Sequence, residues 1–411
     1  MLDIAATCLV VTALLAYLNH RFIGLPTTIG VMVAALVLSL SLVGMDSLGM
    51  LGGLRSYEES LLRSIDFSSV LMQGMLSFLL FAGALHVDLS ELRAYRWQIG
   101  GLAVIGTLLS TVVVGGVLFW TLPWVGLPVP LLHCLLFGAL ISPTDPIAVM
   151  GILKSAGAPK NLEGVIAGES LFNDGIGVVI FSLLLGMLAS GAVPTIQQGG
   201  ELLLREAGGG LLFGATLGYV TFRLLRSIDH YQLEVLLTLA AVMGGYALAS
   251  SLHVSGPLAM VVAGLMIGHQ GRALAMSETT WHHLGLFWEL LGDILHAVLF
   301  VLIGLEVIVI HFPRGIAVAA VLAIGVTLLT RWLTVGLPVE LWHRRLRLPI
   351  GSGRVLTWGG LRGGISVALA LSLPAGPYRE TLIALTYCVV VFSILVQGLT
   401  IGSVVRRAVK A

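Results

Sequence analysis

Apolar residues run along this chain in blocks of about 20, long enough to cross a bilayer as helices, with glycine, proline and charge punctuating them. Cut at those punctuations, the sequence predicts thirteen spanning helices, at 4–20, 26–45, 67–86, 98–121, 131–153, 161–190, 202–226, 231–252, 255–271, 284–311, 315–341, 354–374 and 380–403. The tenth is the least regular, because it carries Glu289, Asp293, His296 and Glu306. The first, from Ile4 to Leu18, lacks a basic leader and ends at Asn19-His20-Arg21 rather than at a small-residue cleavage site. That predicts a retained spanning helix, not a removed signal peptide.

Composition agrees with lipid as the main solvent. Of the 411 residues, 57% are hydrophobic and 10% charged, and the mean hydropathy is +1.01. A soluble domain carries about 25% charged residues to satisfy water over its surface. With a net charge of +1 and no long basic run, nucleic acid is not an expected partner, and neither is a soluble protein. Cys8, Cys134 and Cys388 lie apart in apolar stretches, which suits small packing residues rather than a metal site or a disulfide.

Basic residues accumulate in cytoplasmic connections, and here they alternate. Fifteen of the 22 lie on one side: Arg21, Arg93, Arg96, Lys154, Lys160, Arg223, Arg226, Arg272, Arg344, Arg345, Arg347, Arg354, Arg406, Arg407 and Lys410. Five, namely Arg55, Arg63, Arg205, Arg314 and Arg379, lie on the other, while Arg331 and Arg362 fall inside apolar segments. The expected orientation puts the N-terminus outside and the C-terminus in the cytoplasm. The chain ends soon after Arg406-Arg407, so no regulation by a cytoplasmic tail is expected.

Two segments are interrupted. The fifth contains Ser142-Pro143-Thr144-Asp145-Pro146, where two prolines remove amide donors and clash with the preceding turn. The twelfth contains Gly359-Gly360-Leu361-Arg362-Gly363-Gly364, where four glycines weaken the helix. Each lies in the middle of a triplet, helices 4–6 and 11–13, offset by an odd number of crossings and therefore inverted. Irregular backbone at membrane depth survives where it lines a cavity or is buried in protein. Paired breaks in inverted repeats point to a transporter binding site.

Ionisable groups inside a bilayer are costly, so each is a functional candidate. Glu206, Glu234, Glu289, Asp293 and Glu340 lie near helix ends and are expected to reach water, and Glu306 sits near the outer end of its helix. Among the histidines, His296 is the deepest, and an interfacial or packing role is expected for it. The sixth helix differs. It reads Gly168-Glu169-Ser170-Leu171-Phe172-Asn173-Asp174-Gly175, with Glu169 and Asn173, and Ser170 and Asp174, four residues apart on one face. Asp174 lies about 20 Å along that helix from Asn161, in the middle third of the bilayer. Packing does not call for such a stripe. Hard cations take oxygen ligands, which Asp174, Asp145, the Ser170 hydroxyl and carbonyls around Thr144 can supply. One carboxylate oxygen can hold a proton or a cation but not both well, and that competition is the core of exchange. Buried Arg331 and Arg362 need counter-charge, for which Glu169 is the candidate partner of either or both. Arg362 is also placed to offset the partial charges of interrupted helix ends.

In combination and order, these three motifs resemble the monovalent cation:proton antiporter-1 family, whose prokaryotic members are the NhaP-type Na⁺/H⁺ antiporters. The resemblance spans essentially the whole chain. It implies an all-α fold of thirteen helices with inverted repeats, in which the two broken helices cross near the ion. It implies a homodimer, with an ion-transport bundle at 98–190 and 315–403 and a dimerisation bundle at 1–97 and 202–311. It implies an ion held by Asp174, Asp145, Ser170 and the Thr144 carbonyl, with Glu169 paired to a buried arginine. Asn173 in place of a second aspartate implies exchange of one cation for one proton, without net charge movement.

The expected function is thus Na⁺/H⁺ antiport by alternating access in a prokaryotic inner membrane, with no cofactor beyond the transported Na⁺ (or Li⁺ or K⁺) and H⁺. K⁺/H⁺ exchange uses the same ligands and stays open, since sequence does not fix cavity size. An organic-anion symporter would want a basic pocket, whereas the deep residues here are chiefly acidic. A channel would need a selectivity filter, and nothing in the chain resembles one. No nucleophile and base accompany the aspartates as an enzyme would require.

Overall fold

The computed structural model describes residues 2–47, 74–191, 196–271, 276–307, 310 and 315–408, and within them every regular element is helical. The helices are α1 (2–23), α2 (Thr27–Ser47), α3 (Leu76–Leu85), α4 (Arg96–Val125), α5 (Leu131–Ile141 as α5a, Ile147–Ala156 as α5b), α6 (Lys160–Ser190) and α7 (196–225). They continue as α8 (Tyr231–Ser251), α9 (Gly256–His269), α10 (Glu278–Glu306), α11 (Ile316–Leu346), α12 (Ser352–Trp358 as α12a, Gly364–Leu371 as α12b) and α13 (Arg379–Ala408). Each of the thirteen predicted segments meets one of these helices. Eight are long and apolar enough to cross a membrane, and α3, α5a and α9 are shorter apolar helices. Residues 67–73 of the third predicted segment lie outside the described residues, as do Arg55, Arg63, Arg272, Arg314 and Lys410.

Local chemistry sets the helix ends. Pro130 and Pro159, in extended conformation, open α5a and α6, where a missing N–H costs nothing. Ser255 and Ser277 cap α9 and α10 by accepting from the amides of Leu258 and Thr280. Gly157, at φ 77°, ends α5b in the left-handed conformation that only glycine adopts cheaply.

The helices pack as two groups. In one, α4 lies against α5a and α11, α6 against α5a, and α13 against α5b, α11 and α12a. In the other, α9 lies against α3, α7 and α8, and α10 against α2, α3 and α8. The groups meet where α6 touches α9 and where α10 touches α12b. Five-residue π-helical turns widen α4 at Leu102–Gly106, α11 at Trp332–Gly336 and α13 at Ser393–Gln397.

The tenth predicted segment forms one helix despite its charges, α10 running unbroken from Glu278 to Glu306. Of its polar residues, Glu289, Asp293 and His296 line a cavity. One expectation needs correction: Glu234 does not reach water. It is fully buried in the first turn of α8, where the positive end of the helix favours an acid.

Candidate functional site

Breaking a helix in the membrane leaves amides and carbonyls that need partners. The two breaks supply them to each other. At α5 the helix stops after Ile141, and Pro143 and Pro146 keep it from resuming before Ile147. At α12 the chain leaves the helix after Trp358 and resumes at Gly364. The Asp145 amide donates to the Leu361 carbonyl at 2.8 Å, joining the breaks directly. The Arg362 guanidinium reaches back to the end of α5a, donating to the carbonyls of Ser142 at 2.5 Å and Pro143 at 3.0 Å. A buried cation thereby sits at the negative end of a half-helix, which is its favourable pole. Two glycines of the α12 break allow close approaches, Gly363 to the α5 break and Gly360 to Arg331 of α11. A Cβ at Gly363 would lie 2.6 Å from Cβ of Asp145, and one at Gly360 would lie 2.6 Å from Nε of Arg331.

Helix α6 presents its polar stripe to this crossing. Glu169, Ser170, Asn173 and Asp174 are all buried, Asp174 being 6% exposed. Glu169 forms a two-pronged ion pair with Arg331 of α11, at 2.5 and 2.7 Å, and Arg331 also donates to the Leu356 carbonyl at 3.4 Å. A pair with this geometry keeps both charges satisfied away from water. Of the two arginines considered from sequence, Arg331 is the partner of Glu169, and Arg362 serves the helix break.

Asn173 links this pair to the α5 break. Its carbonyl oxygen accepts from the Thr144 amide at 3.2 Å, and its amide donates to the Thr144 hydroxyl at 2.8 Å and to Glu169 at 3.4 Å. The Thr144 and Ser170 hydroxyls lie 2.8 Å apart. These bonds use the amide and hydroxyl of Thr144 and not its carbonyl. An aspartate could not make the two donations, so Asn173 has a structural reason of its own.

Asp174 faces differently. With Thr144 and Asp145 it lines a cavity of about 410 Å³. Asp145, Glu169 and Arg362 are the charged groups whose fields act on it. The cavity passes Glu289, Asp293 and His296 of α10 and reaches Lys154, Lys160 and Glu163 at the ends of α5b and α6. His296 donates from Nδ1 to the Gly292 carbonyl at 2.8 Å, which fixes its ring against its own helix. One cavity thus brings the Asp174 and Asp145 carboxylates together with Lys154, Lys160 and Glu163 at the ends of α5b and α6. Ser170, by contrast, meets the crossing through Thr144.

Sequence reading missed several contributors. Ser393 of α13 accepts from the Arg362 amide at 2.9 Å, and Gln397 donates to the Trp358 carbonyl at 3.1 Å. Both lie in an apolar helix where single polar residues gave no signal. Glu289 and Asp293 were placed near helix ends, although their four-residue spacing marks one face.

Comparison with known proteins agrees with this architecture. The family described as sodium/hydrogen exchanger, transmembrane, matches residues 10–407. The Na⁺/H⁺ antiporter NhaP of Pseudomonas aeruginosa is 56% identical over 99% of this chain and 97% of its own length. The Na⁺/H⁺ antiporter NhaH of Halobacillus aidingensis is 35% identical over 91% of each chain. Among solved structures, the sodium proton antiporter MjNhaP1 of Methanocaldococcus jannaschii superimposes with a TM-score of 0.77. It covers 99% of this chain and 98% of its own at 19% identity, which is a likeness of fold. Fold, motifs and relatives together make this chain a member of the transmembrane sodium/hydrogen exchanger family.

Proposed function

We propose that this chain is a Na⁺/H⁺ antiporter that exchanges one cation for one proton by alternating access, with both competing for Asp174. It is a secondary transporter, as its family membership and its 56% identity to an antiporter support. One observation carries the assignment of the site. Asp174 and Asp145 line one cavity beside the crossing of two broken helices, where the Asp145 amide is bonded to the Leu361 carbonyl.

The roles follow from the chemistry of the side chains. Asp174 and Asp145, with the Ser170 hydroxyl and the Thr144 carbonyl, supply hard oxygen ligands for a dehydrated Na⁺. Glu169 and Arg331 neutralise each other and hold α6 to α11. Arg362 stabilises the α5 break, and Asn173 fixes Thr144 without adding a second charge. A single carboxylate that trades a proton for a cation carries the same charge in both crossings, which makes the exchange electroneutral.

The fifteen-to-five bias of basic residues supports a cytoplasmic C-terminus, and Lys154 and Lys160 then lie at the cytoplasmic mouth of the cavity. The conformation is accordingly inward-facing. The group built on α4–α6 and α11–α13 is the moving ion-transport bundle, and the remaining helices form the dimerisation bundle of a homodimer in the prokaryotic inner membrane.

The test is proton flux in proteoliposomes driven by gradients of Na⁺, Li⁺ or K⁺, with the membrane voltage clamped at several values. Flux with Na⁺ that is insensitive to voltage is the expected result. Flux with K⁺ alone would transfer the assignment to K⁺/H⁺ exchange, and steep voltage dependence would contradict one-for-one stoichiometry.

A further inference from the structure

We propose that Ser393 and Gln397 of α13 form a positioning clamp that holds the α12 break, and through it Asp145, in the geometry that binds Na⁺; this rests on the antiport reading above. The two residues are the first and last of one π-helical turn, and both are buried, at 0% and 3% exposure. Wide turns of this kind recur at functional sites because they redirect side chains that a regular helix would place elsewhere. Here the turn brings two polar groups to opposite ends of the same break.

Gln397 serves the upstream end. Its amide donates to the carbonyl of Trp358, the last residue of α12a, at 3.1 Å. Carbonyls at a helix end lack intrahelical partners, so this bond fixes where α12a stops. Ser393 serves the downstream end. Its hydroxyl accepts from the Arg362 amide at 2.9 Å, while the carbonyl of the same peptide unit, that of Leu361, accepts from the Asp145 amide at 2.8 Å. A peptide unit is planar and stiff. The Leu361–Arg362 unit is thus held from one edge by α13 and holds Asp145 from the other. Ser393 touches no candidate ligand, yet two hydrogen bonds through one rigid plane connect it to the main chain of Asp145.

The Arg362 side chain reinforces this register. It binds the Ser142 and Pro143 carbonyls, just before Thr144 and Asp145. Removing the Ser393 hydroxyl leaves a buried amide without a partner, and the cheapest relief is rotation of the peptide, which drags Asp145 with it. The consequence falls on ion coordination more than on bundle movement. A displaced ligand weakens binding and blurs the choice between cations of different size, whereas the rate of carrying a bound ion is set by packing elsewhere.

The experiment compares wild type, Ser393→Ala, Ser393→Thr and Gln397→Met in proteoliposomes, measuring KM and maximal rate for Na⁺ and K⁺, with thermal unfolding in detergent as the folding control. For Ser393→Ala, the KM for Na⁺ is expected to rise about tenfold, the loss that one orphaned buried donor corresponds to. Its maximal rate should stay within about twofold, and its preference for Na⁺ over K⁺ should fall, since the ligands are displaced rather than removed. Gln397→Met should show a smaller rise in KM. Ser393→Thr keeps the hydroxyl and should retain the wild-type constants. Unchanged constants in Ser393→Ala, equal damage in Ser393→Thr, or KM and rate failing together with the unfolding temperature would overturn the clamp. Wild-type vesicles without Na⁺-driven flux would overturn the antiport reading itself and the clamp with it. Wild-type flux beside an unaffected Ser393→Ala would overturn the clamp alone.

Discussion

Glu169 and Asp174 are carboxylates five residues apart on α6, yet their surroundings give them different work. Glu169 is closed off by Arg331 and Asn173, and both its oxygens meet the guanidinium. Asp174 opens onto the cavity. The polar stripe was legible from four-residue spacing, and Glu169 was set apart from Asp174 because two buried arginines need a counter-charge. The identity of the arginine was not legible, because nothing along the chain says which of two distant helices turns its basic residue toward α6. The geometry makes the pair testable. Replacing Glu169 with Gln leaves Arg331 buried without a counter-charge, and breaking a buried pair in this way costs about 3–5 kcal/mol. Glu169→Gln is therefore expected to unfold at clearly lower temperature in detergent and to transport poorly. A variant as stable as wild type would remove the structural role assigned to the pair.

At the scale of elements, the two broken helices were visible as prolines in α5 and glycines in α12, since each residue type weakens a helix by a known route. Their direct bonding was not visible. The amide of Asp145 finds the carbonyl of Leu361 more than two hundred residues away, and only the folded bundle brings them together. The glycines do more than weaken a helix, because Gly363 leaves room for Asp145 where a side chain would collide. Gly363→Ala introduces that collision, and overpacking of this kind costs about 1–3 kcal/mol. The expected outcome is a raised KM for Na⁺ at nearly normal folding, measured as Na⁺-driven proton flux. Wild-type Na⁺ affinity in Gly363→Ala would show that the close approach of the two breaks is not needed for binding. The continuous course of α10 was legible as one apolar block at 284–311, whereas the cavity that receives Glu289 and Asp293 was not.

For the molecule as a whole, the alternation of basic residues and the thirteen apolar blocks fixed the helix count, because lipid tolerates few other patterns. What lay beyond sequence was the cavity, which depends on how two helix groups lean on each other. An inward-facing state makes Ala167, which lines that cavity on α6, accessible from the cytoplasm alone. In a background lacking Cys8, Cys134 and Cys388, Ala167→Cys should react with a membrane-impermeant thiol reagent in inside-out vesicles and not in right-side-out ones. Reaction only from the outside would reverse either the orientation or the state.

The central claim is that Na⁺ and a proton exclude each other at Asp174. It is tested most directly by adding Na⁺ to the purified protein in weakly buffered detergent solution and measuring the protons released. Release should be about one proton per Na⁺ bound at a pH where the site is protonated, should vanish as pH rises and the site empties of protons, and should be absent in Asp174→Asn. Proton release persisting undiminished in Asp174→Asn, or Na⁺ binding to wild type with no proton released at any pH, would contradict the account.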